Sequence, residues 1–293
     1  VQISYTNLHS TRILTFSGDL GGGHSELLKE PQAGLETDEL VLESTYGNRK
    51  INLEGREERL AEIIRKVTGR GGTLVIPSFA LGRAQDLLYS IHQLRQKNMI
   101  PSVPVYLDSP MANEVTEIYL KNSDELRLHP ENRHIEEALS SSFFHGVEST
   151  DDSMLLCMSD EPKIVISASG MLQGGRVLHH LKAKLPSDKN GVLFVGFQSR
   201  ETKGRLLQEG LPTIRIHHKE IAVEAEIFTL DGYSAHADAD DMIQWLHQFR
   251  RLPQKIFLNH GEEEAQKVFA ERLRREFNAQ VEIPILHQEF LLE

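Results

Sequence analysis

Four side chains able to hold a metal or move a proton stand where apolar runs give out. Asp19 follows the run 12–16, within Ser17-Gly18-Asp19-Leu20-Gly21-Gly22-Gly23. Glu43 closes the run 39–42. His236 lies in Ser234-Ala235-His236-Ala237-Asp238, between the apolar run 227–230 and a helical stripe of Met242, Ile243, Trp245, Leu246 and Phe249. His260 follows Ile256-Phe257-Leu258, in Asn259-His260-Gly261-Glu262. In open α/β sheets, ligands gather beyond the carboxyl ends of strands. Carboxylates and imidazoles are ligand types that zinc accepts, and a carboxylate beside an imidazole can also serve acid–base chemistry. Each position has a plainer reading when taken singly. Ser and Asp are common helix caps, and Asp19 is also what an ordinary turn would carry. The glycines at 21–23 suggest a phosphate loop, but they match neither the Walker nor the dinucleotide pattern.

The elements that must position these groups follow from periodicity. Residues 1–5 and 12–16 read as two strands joined by a polar turn. From about Gly55 the pattern becomes a regular alternation of strand and helix. Leu60, Ile63, Ile64 and Val67 mark a helix, 73–77 a buried strand, and Ala84, Leu87, Leu88, Ile91 and Leu94 another helix. Strands at 103–107, 164–167 and 192–197 continue the series, which predicts a parallel sheet of its own. Two strand-to-helix loops inside it carry small and hydroxyl residues, 77–83 and 167–175. Ser78, Arg83, Ser169, Gly170 and Arg176 are the candidate phosphate contacts there, with simple capping as the alternative for the serines. Met154, Leu155, Leu156, Cys157 and Met158 read as core. His179-His180 and His217-His218 read as solvated or as contacts to a polyanion.

Composition narrows the class. The chain has 293 residues, 39% hydrophobic and 26% charged, enough to bury a real core in two lobes or one large one. Its sequence contains no apolar run of membrane-spanning length, and Val-Gln-Ile-Ser-Tyr at the start lacks a signal peptide's basic and apolar regions. One cysteine excludes both an intrachain disulfide and a cysteine-based zinc site, and fits a cytoplasmic protein. The net charge of −11 excludes a wholly basic nucleic-acid binder. Residues 163–219 nevertheless carry ten Lys or Arg against three acids, a net +7, which is a candidate footprint for a polyanion.

The motifs around Asp19, Glu43-Ser44-Thr45-Tyr46-Gly47, His236 and His260 occur in one order, and that order resembles the β-CASP group of metallo-β-lactamase-fold nucleases. That group includes pre-mRNA 3′-end endonucleases and their bacterial and archaeal relatives. The resemblance covers almost the whole chain and extends to the loops 77–83 and 167–170. It implies an α/β fold with a partial metallo-β-lactamase αββα lobe in 1–50 and 217–293. A Rossmann-like β-CASP lobe is inserted at 51–216. It further implies a zinc-dependent ribonuclease that hydrolyses phosphodiester bonds, with two zinc ions in the intact site. Asp19 matches the bridging aspartate, His260 a ligand to one ion, and Glu43 with His236 the pair that supports the site and meets the scissile phosphate. Ser234 joins Ser78, Arg83, Ser169, Gly170 and Arg176 among the expected RNA or phosphate contacts. The expected partner is single-stranded RNA, with a homodimer allowed and no membrane involved.

One departure from the family pattern bears on activity. The family's first ligand cluster, His-x-His-x-Asp-His, is absent, and neither His9 nor His24 takes its place by context. The chain therefore resembles the portion that follows that cluster, and by itself it is expected to be inactive with substoichiometric zinc. The alternative is a non-catalytic RNA-binding or scaffold member of the same family. A small-molecule hydrolase suits the large inserted lobe less well than a polymer-cleaving enzyme does.

Overall fold

The computed structural model describes residues 1–6, 10–32, 34–127 and 135–292. In chain order the elements are β1 (Gln2–Thr6), β2 (Thr11–Phe16), β3 (Glu39–Glu43), α1 (Arg56–Gly69), β4 (Thr73–Pro77), α2 (Arg83–Gln96), β5 (Val105–Asp108), α3 (Pro110–Lys121) and α4 (Ile135–Ala138). They continue with β6 (His145–Gly146), α5 (Thr150–Met158), β7 (Lys163–Ser167), α6 (Val177–Lys184), β8 (Gly191–Phe194), α7 (Lys203–Gln208), β9 (Thr213–Ile216), β10 (Lys219–Ala222) and β11 (Glu226–Thr229). The last are α8 (Ala239–His247), β12 (Lys255–Asn259), α9 (Glu263–Phe277) and β13 (Gln280–Glu282).

The chain divides into two compact units. The first comprises Val1–His24, Glu30–Ile51 and Ala235–Glu293, and the second Ser25–Lys29 and Asn52–Ser234. The second unit thus runs past the 216/217 point expected from the sequence. The physical reason is β11, which pairs in parallel with β8 and so completes the second unit's sheet.

The first unit is built on a sheet of order β1-β2-β3-β12-β13. Only β1 and β2 are antiparallel; β2 with β3, β3 with β12 and β12 with β13 run parallel. Alternation along a strand sends successive side chains to opposite faces. Leu40 and Leu42 of β3 lie opposite Ile256 and Leu258 of β12, and all four are buried. They pack with Met242, Ile243 and Leu246 of α8 and with Phe269, Ala270 and Leu273 of α9. The intervening positions of β3, Glu39, Val41 and Glu43, turn the other way. Helix α8 begins where its sequence dictates. Asp238 accepts hydrogen bonds from the N–H groups of Asp240 and Asp241, while Asp241 reciprocates to the N–H of Asp238, a capping box.

The second unit holds a wholly parallel sheet of order β11-β8-β4-β7-β5-β6, with β9 and β10 as a separate hairpin. Leu74 and Ile76 of β4 face α1 and α2, whereas Val75 faces α6 and α7. Helices thus cover both faces, as a buried parallel sheet requires.

Helix α5 departs from the sequence expectation. Leu156 and Cys157 are buried, but Met154, Leu155 and Met158 are exposed, Met158 to 75%. A continuous apolar run hid a helix with one buried face, because hydrophobicity alone cannot say which third of a helix meets a core.

Candidate metal centre

Strand pairing in the first unit fixes the site. Asn259, the last residue of β12, lies opposite Glu43, the last residue of β3. The turn after β12 then delivers His260, with φ at 52°, a left-handed conformation that His adopts more readily than branched residues do. The side chain of Ser44 donates to the carbonyl of Asn259 at 2.7 Å, and that of Thr45 to the carbonyl of His260 at 2.8 Å. Gly261 is required here, since a β-carbon would lie 2.6 Å from the Ser44 carbonyl oxygen.

Strand β2 supplies Asp19 by the same logic. The Ser17 N–H donates to the carbonyl of Val41 at 2.9 Å, and the Glu43 N–H donates to the Ser17 hydroxyl at 3.1 Å. The loop then folds back so that the N–H of Leu20 donates to Glu43 Oε1. The Ala237 N–H in turn donates to the carbonyl of Leu20, which brings in the segment carrying His236. Tyr46 bridges to Asp238 in parallel and holds the other side of that segment.

The four side chains converge. Asp19 Oδ1 lies 3.4 Å from His260 Nδ1. The rings of His236 and His260 are 5.4 Å apart between centroids. One ligand atom from each of Asp19, His236 and His260 lies within 4.8 Å of the others. Glu43 is only 3% exposed, and its two oxygens stand 3.1 and 2.9 Å from His236 Nδ1. A carboxylate at Nδ1 favours the tautomer that carries its proton there and leaves Nε2 for other work. Asp19 and His260 are more than half exposed, so their ligand atoms face an accessible position. A carboxylate oxygen and imidazole nitrogens at these separations form a donor set that fits zinc.

Two sequence matches decide the family. Residues 84–207 match the Beta-Casp domain, and residues 220–284 match the Zn-dependent metallo-hydrolase RNA specificity domain. The chain belongs to the β-CASP family of metallo-β-lactamase-fold RNA nucleases. It is 35% identical over 265 residues to Ribonuclease TTHA0252 of Thermus thermophilus, covering 86% of this chain and 58% of that protein. It is 35% identical over 287 residues to Transcription termination factor FttA of Methanocaldococcus jannaschii, covering 93% and 44%. An RNase J-like protein of the same archaeon is 30% identical over 295 residues, covering 96% and 65%. The chain spans about half the length of the relatives it matches.

Two further histidines bear on this β-CASP site. His9 lies outside the described residues. His24 joins a separate group with Asp238 and Asp241, its Nε2 lying 2.7 Å from Asp241 Oδ2. Asp238 is already committed there. Its Oδ1 accepts the first N–H groups of α8, and its Oδ2 accepts the N–H of Ile51. His24 therefore ties the glycine loop to the helix cap.

The β-CASP lobe's expected contacts lie in the second unit. Ser78 is buried and its N–H donates to the carbonyl of Ser167 at 3.0 Å. Ser169 is half-buried, Gly170 is buried, and the Gly170 carbonyl accepts from Gln198 at 2.9 Å. Ser234, half-buried, ends the unit. Arg83 is 3% exposed and donates through Nε to the carbonyl of Tyr233 at 3.0 Å. Arg176 donates to Asp108 Oδ1 at 3.0 Å and to the carbonyls of Val147 and Glu148. Both guanidinium groups thus hold the protein's own loops in place.

Sequence reading missed the partner of Arg176. Asp108 also lies 2.6 Å from His180 Nε2 and accepts from Ser153 at 2.6 Å, and His180 Nδ1 lies 3.3 Å from the Cys157 sulfur. Burial works to raise the Asp108 pKa, but the bonds from His180, Ser153 and Arg176 outweigh it and hold the group below the usual carboxylate range. The residue types are those of a cysteine hydrolase, yet His180 and Asp108 are fully enclosed. Burial, with Asp108 nearby, pushes the Cys157 thiol up to about 11, which keeps it protonated and unreactive. His180 is therefore core, a correction to its surface reading. The basic stretch is also smaller than its sequence suggests. Lys163 and Lys184 are buried at the end of α5, and both donate to the Ser159 carbonyl.

Proposed function

We propose that this chain carries part of the active centre of a zinc-dependent ribonuclease that hydrolyses phosphodiester bonds in single-stranded RNA. The observation that carries the reading is the convergence of Asp19, Glu43, His236 and His260 from four separate segments onto one accessible position. Asp19 and His260 would hold zinc, with two ions as the finer reading. Bound zinc supplies Lewis-acid stabilisation of phosphate oxygens and lowers the pKa of water. Glu43 fixes the His236 ring through Nδ1, and Nε2 of His236 holds or delivers a proton at the departing oxygen. The loops around Ser78, Ser169 and Ser234 are the proposed backbone contacts, kept in shape by Arg83 and Arg176. The setting is cytoplasmic, as a monomer or a homodimer; no helix among the described residues is long and apolar enough to cross a membrane.

The test is cleavage of a labelled single-stranded RNA, with and without chelator, by wild type and His236→Ala. One arm uses the chain as it stands, and the other the chain with an added segment that carries a His-x-His-x-Asp-His cluster. Chelator-sensitive cleavage that His236→Ala abolishes supports catalysis. RNA binding without cleavage in both arms favours the non-catalytic alternative.

A further inference from the structure

Strands β4 and β7 are adjacent and parallel, with Pro77 opposite Ser167. The chain leaves their carboxyl ends towards opposite faces of the sheet. After β4 it enters α2, whose Leu87, Leu88 and Ile91 pack with Leu74 and Ile76; after β7 it enters α6, whose Val177 and Leu181 pack with Val75. Divergence of this kind opens a crevice at the strand ends, where α/β sheets take their ligands.

Phe79 stands in that crevice. It is 43% exposed and is the only Phe, Tyr or Trp among the second unit's described residues in the exposed class. It is nevertheless held on two sides. The Arg83 guanidinium lies over the ring, 4.9 Å from its centroid. The other loop meets its edge at Gly170, where a β-carbon would come 3.0 and 3.1 Å from Cδ2 and Cε2. Arg83 cannot swing away easily. It is buried, it donates to the Tyr233 carbonyl, and it fills the space that a side chain at Gly196 would take, 2.6 Å from Cζ. An aromatic ring normally goes to the core or to an interface. This one is exposed yet pre-positioned, and a cation on one face draws electron density from the other.

We propose that Phe79 is a stacking platform for an unpaired base of RNA, at a binding subsite within the second unit. The proposal rests on the RNA-acting reading above. Stacking accepts any base, because every base has a π-face, so the platform gives grip without sequence preference. The Gly170 and Gly196 backbones keep the ring and its guanidinium backing in register.

The experiment is fluorescence anisotropy of a labelled oligouridylate with the full chain as wild type, Phe79→Ala, Phe79→Leu and Phe79→Trp. Each is measured at two salt concentrations and against a strand of abasic ribose phosphates, with thermal melts as a folding check. Phe79→Ala and Phe79→Leu should weaken oligouridylate binding by about tenfold to a hundredfold, and Phe79→Trp should restore it. The salt slope should stay unchanged, since no phosphate contact is lost, and the abasic strand should bind all four alike. Phe79→Leu keeps apolar volume, so it carries the test if Phe79→Ala fails to fold. Wild-type RNA binding that both substitutions leave intact overturns the platform and spares the RNA reading. If those substitutions instead reduce self-association in sedimentation, the ring is a protein contact and the platform is equally overturned. Failure of the wild type to bind either strand overturns both readings.

Discussion

The Glu43 carboxylate lies 2.9 Å from Nδ1 of His236, a residue 193 positions further along the chain. Glu43 is nearly sealed from solvent, whereas His236 keeps an accessible edge. In the proposed reaction this asymmetry suits the carboxylate to orientation and the imidazole to proton transfer. In a preparation that cleaves RNA, His236→Ala should lower kcat by about a hundredfold to ten-thousandfold while zinc content stays close to wild type. Glu43→Gln should lower kcat less and leave KM unchanged. Loss of zinc in His236→Ala equal to that in Asp19→Ala would make His236 a ligand instead.

Gly261 should tolerate no side chain. A β-carbon there would press on the Ser44 backbone at 2.6 Å, between the ends of β3 and β12. Gly261→Ala is expected to cost about 1–3 kcal/mol and to weaken zinc binding by displacing His260. Urea unfolding and zinc titration of the same variant check both effects, and unchanged zinc affinity would detach His260 from the metal.

Much of this site was legible beforehand because it depends on strand ends. The runs 39–42 and 256–258 announce buried strands, and the polar residue after each must emerge at an edge. Asp19 and His236 were harder to place, since a loop return at Leu20 and a helix cap at Asp238 set their positions. The run 227–230 reads as the strand leading into His236, yet β11 pairs with β8 in the other unit. His180 was misread because its partner Asp108 is 72 residues away, and pairing at that range leaves no local pattern. The net charge of 163–219 likewise gave no sign that Lys163 and Lys184 turn inward to cap α5.

That inward turn changes the electrostatic prediction. Exposed Lys189, Arg200, Arg215 and Lys219 are the lysine and arginine positions at which charge reversal should weaken RNA binding and flatten its salt dependence. Lys184→Ala should instead lower stability by about 1–3 kcal/mol, because its bond to the Ser159 carbonyl is lost, and leave the salt slope alone. Anisotropy titrations at two salt concentrations, with urea melts, separate the two classes. A lower salt slope for Lys184→Ala would contradict its inward placement.

Asp86 provides a pH test of the second unit. Burial pushes its carboxyl from 3.8 up to about 7, despite the bond from the Ser25 hydroxyl. Between those values the folded protein retains a proton that the unfolded chain has released. Its contribution to stability therefore falls as pH rises through the window. Asp86→Asn removes the titration, so its stability relative to wild type should improve steadily from pH 4 to about 7 and then level off. Parallel pH profiles for the two proteins would contradict the assignment.

The most direct test of the central claim is zinc titration calorimetry on the metal-free chain, with Asp19→Ala, His260→Ala and His236→Ala alongside wild type. Wild type should bind zinc weakly, since the described residues bring together few ligands. Asp19→Ala and His260→Ala should each abolish that binding, and His236→Ala should retain it. Zinc bound by the Asp19→Ala and His260→Ala variants as tightly as by wild type would contradict the metal centre itself.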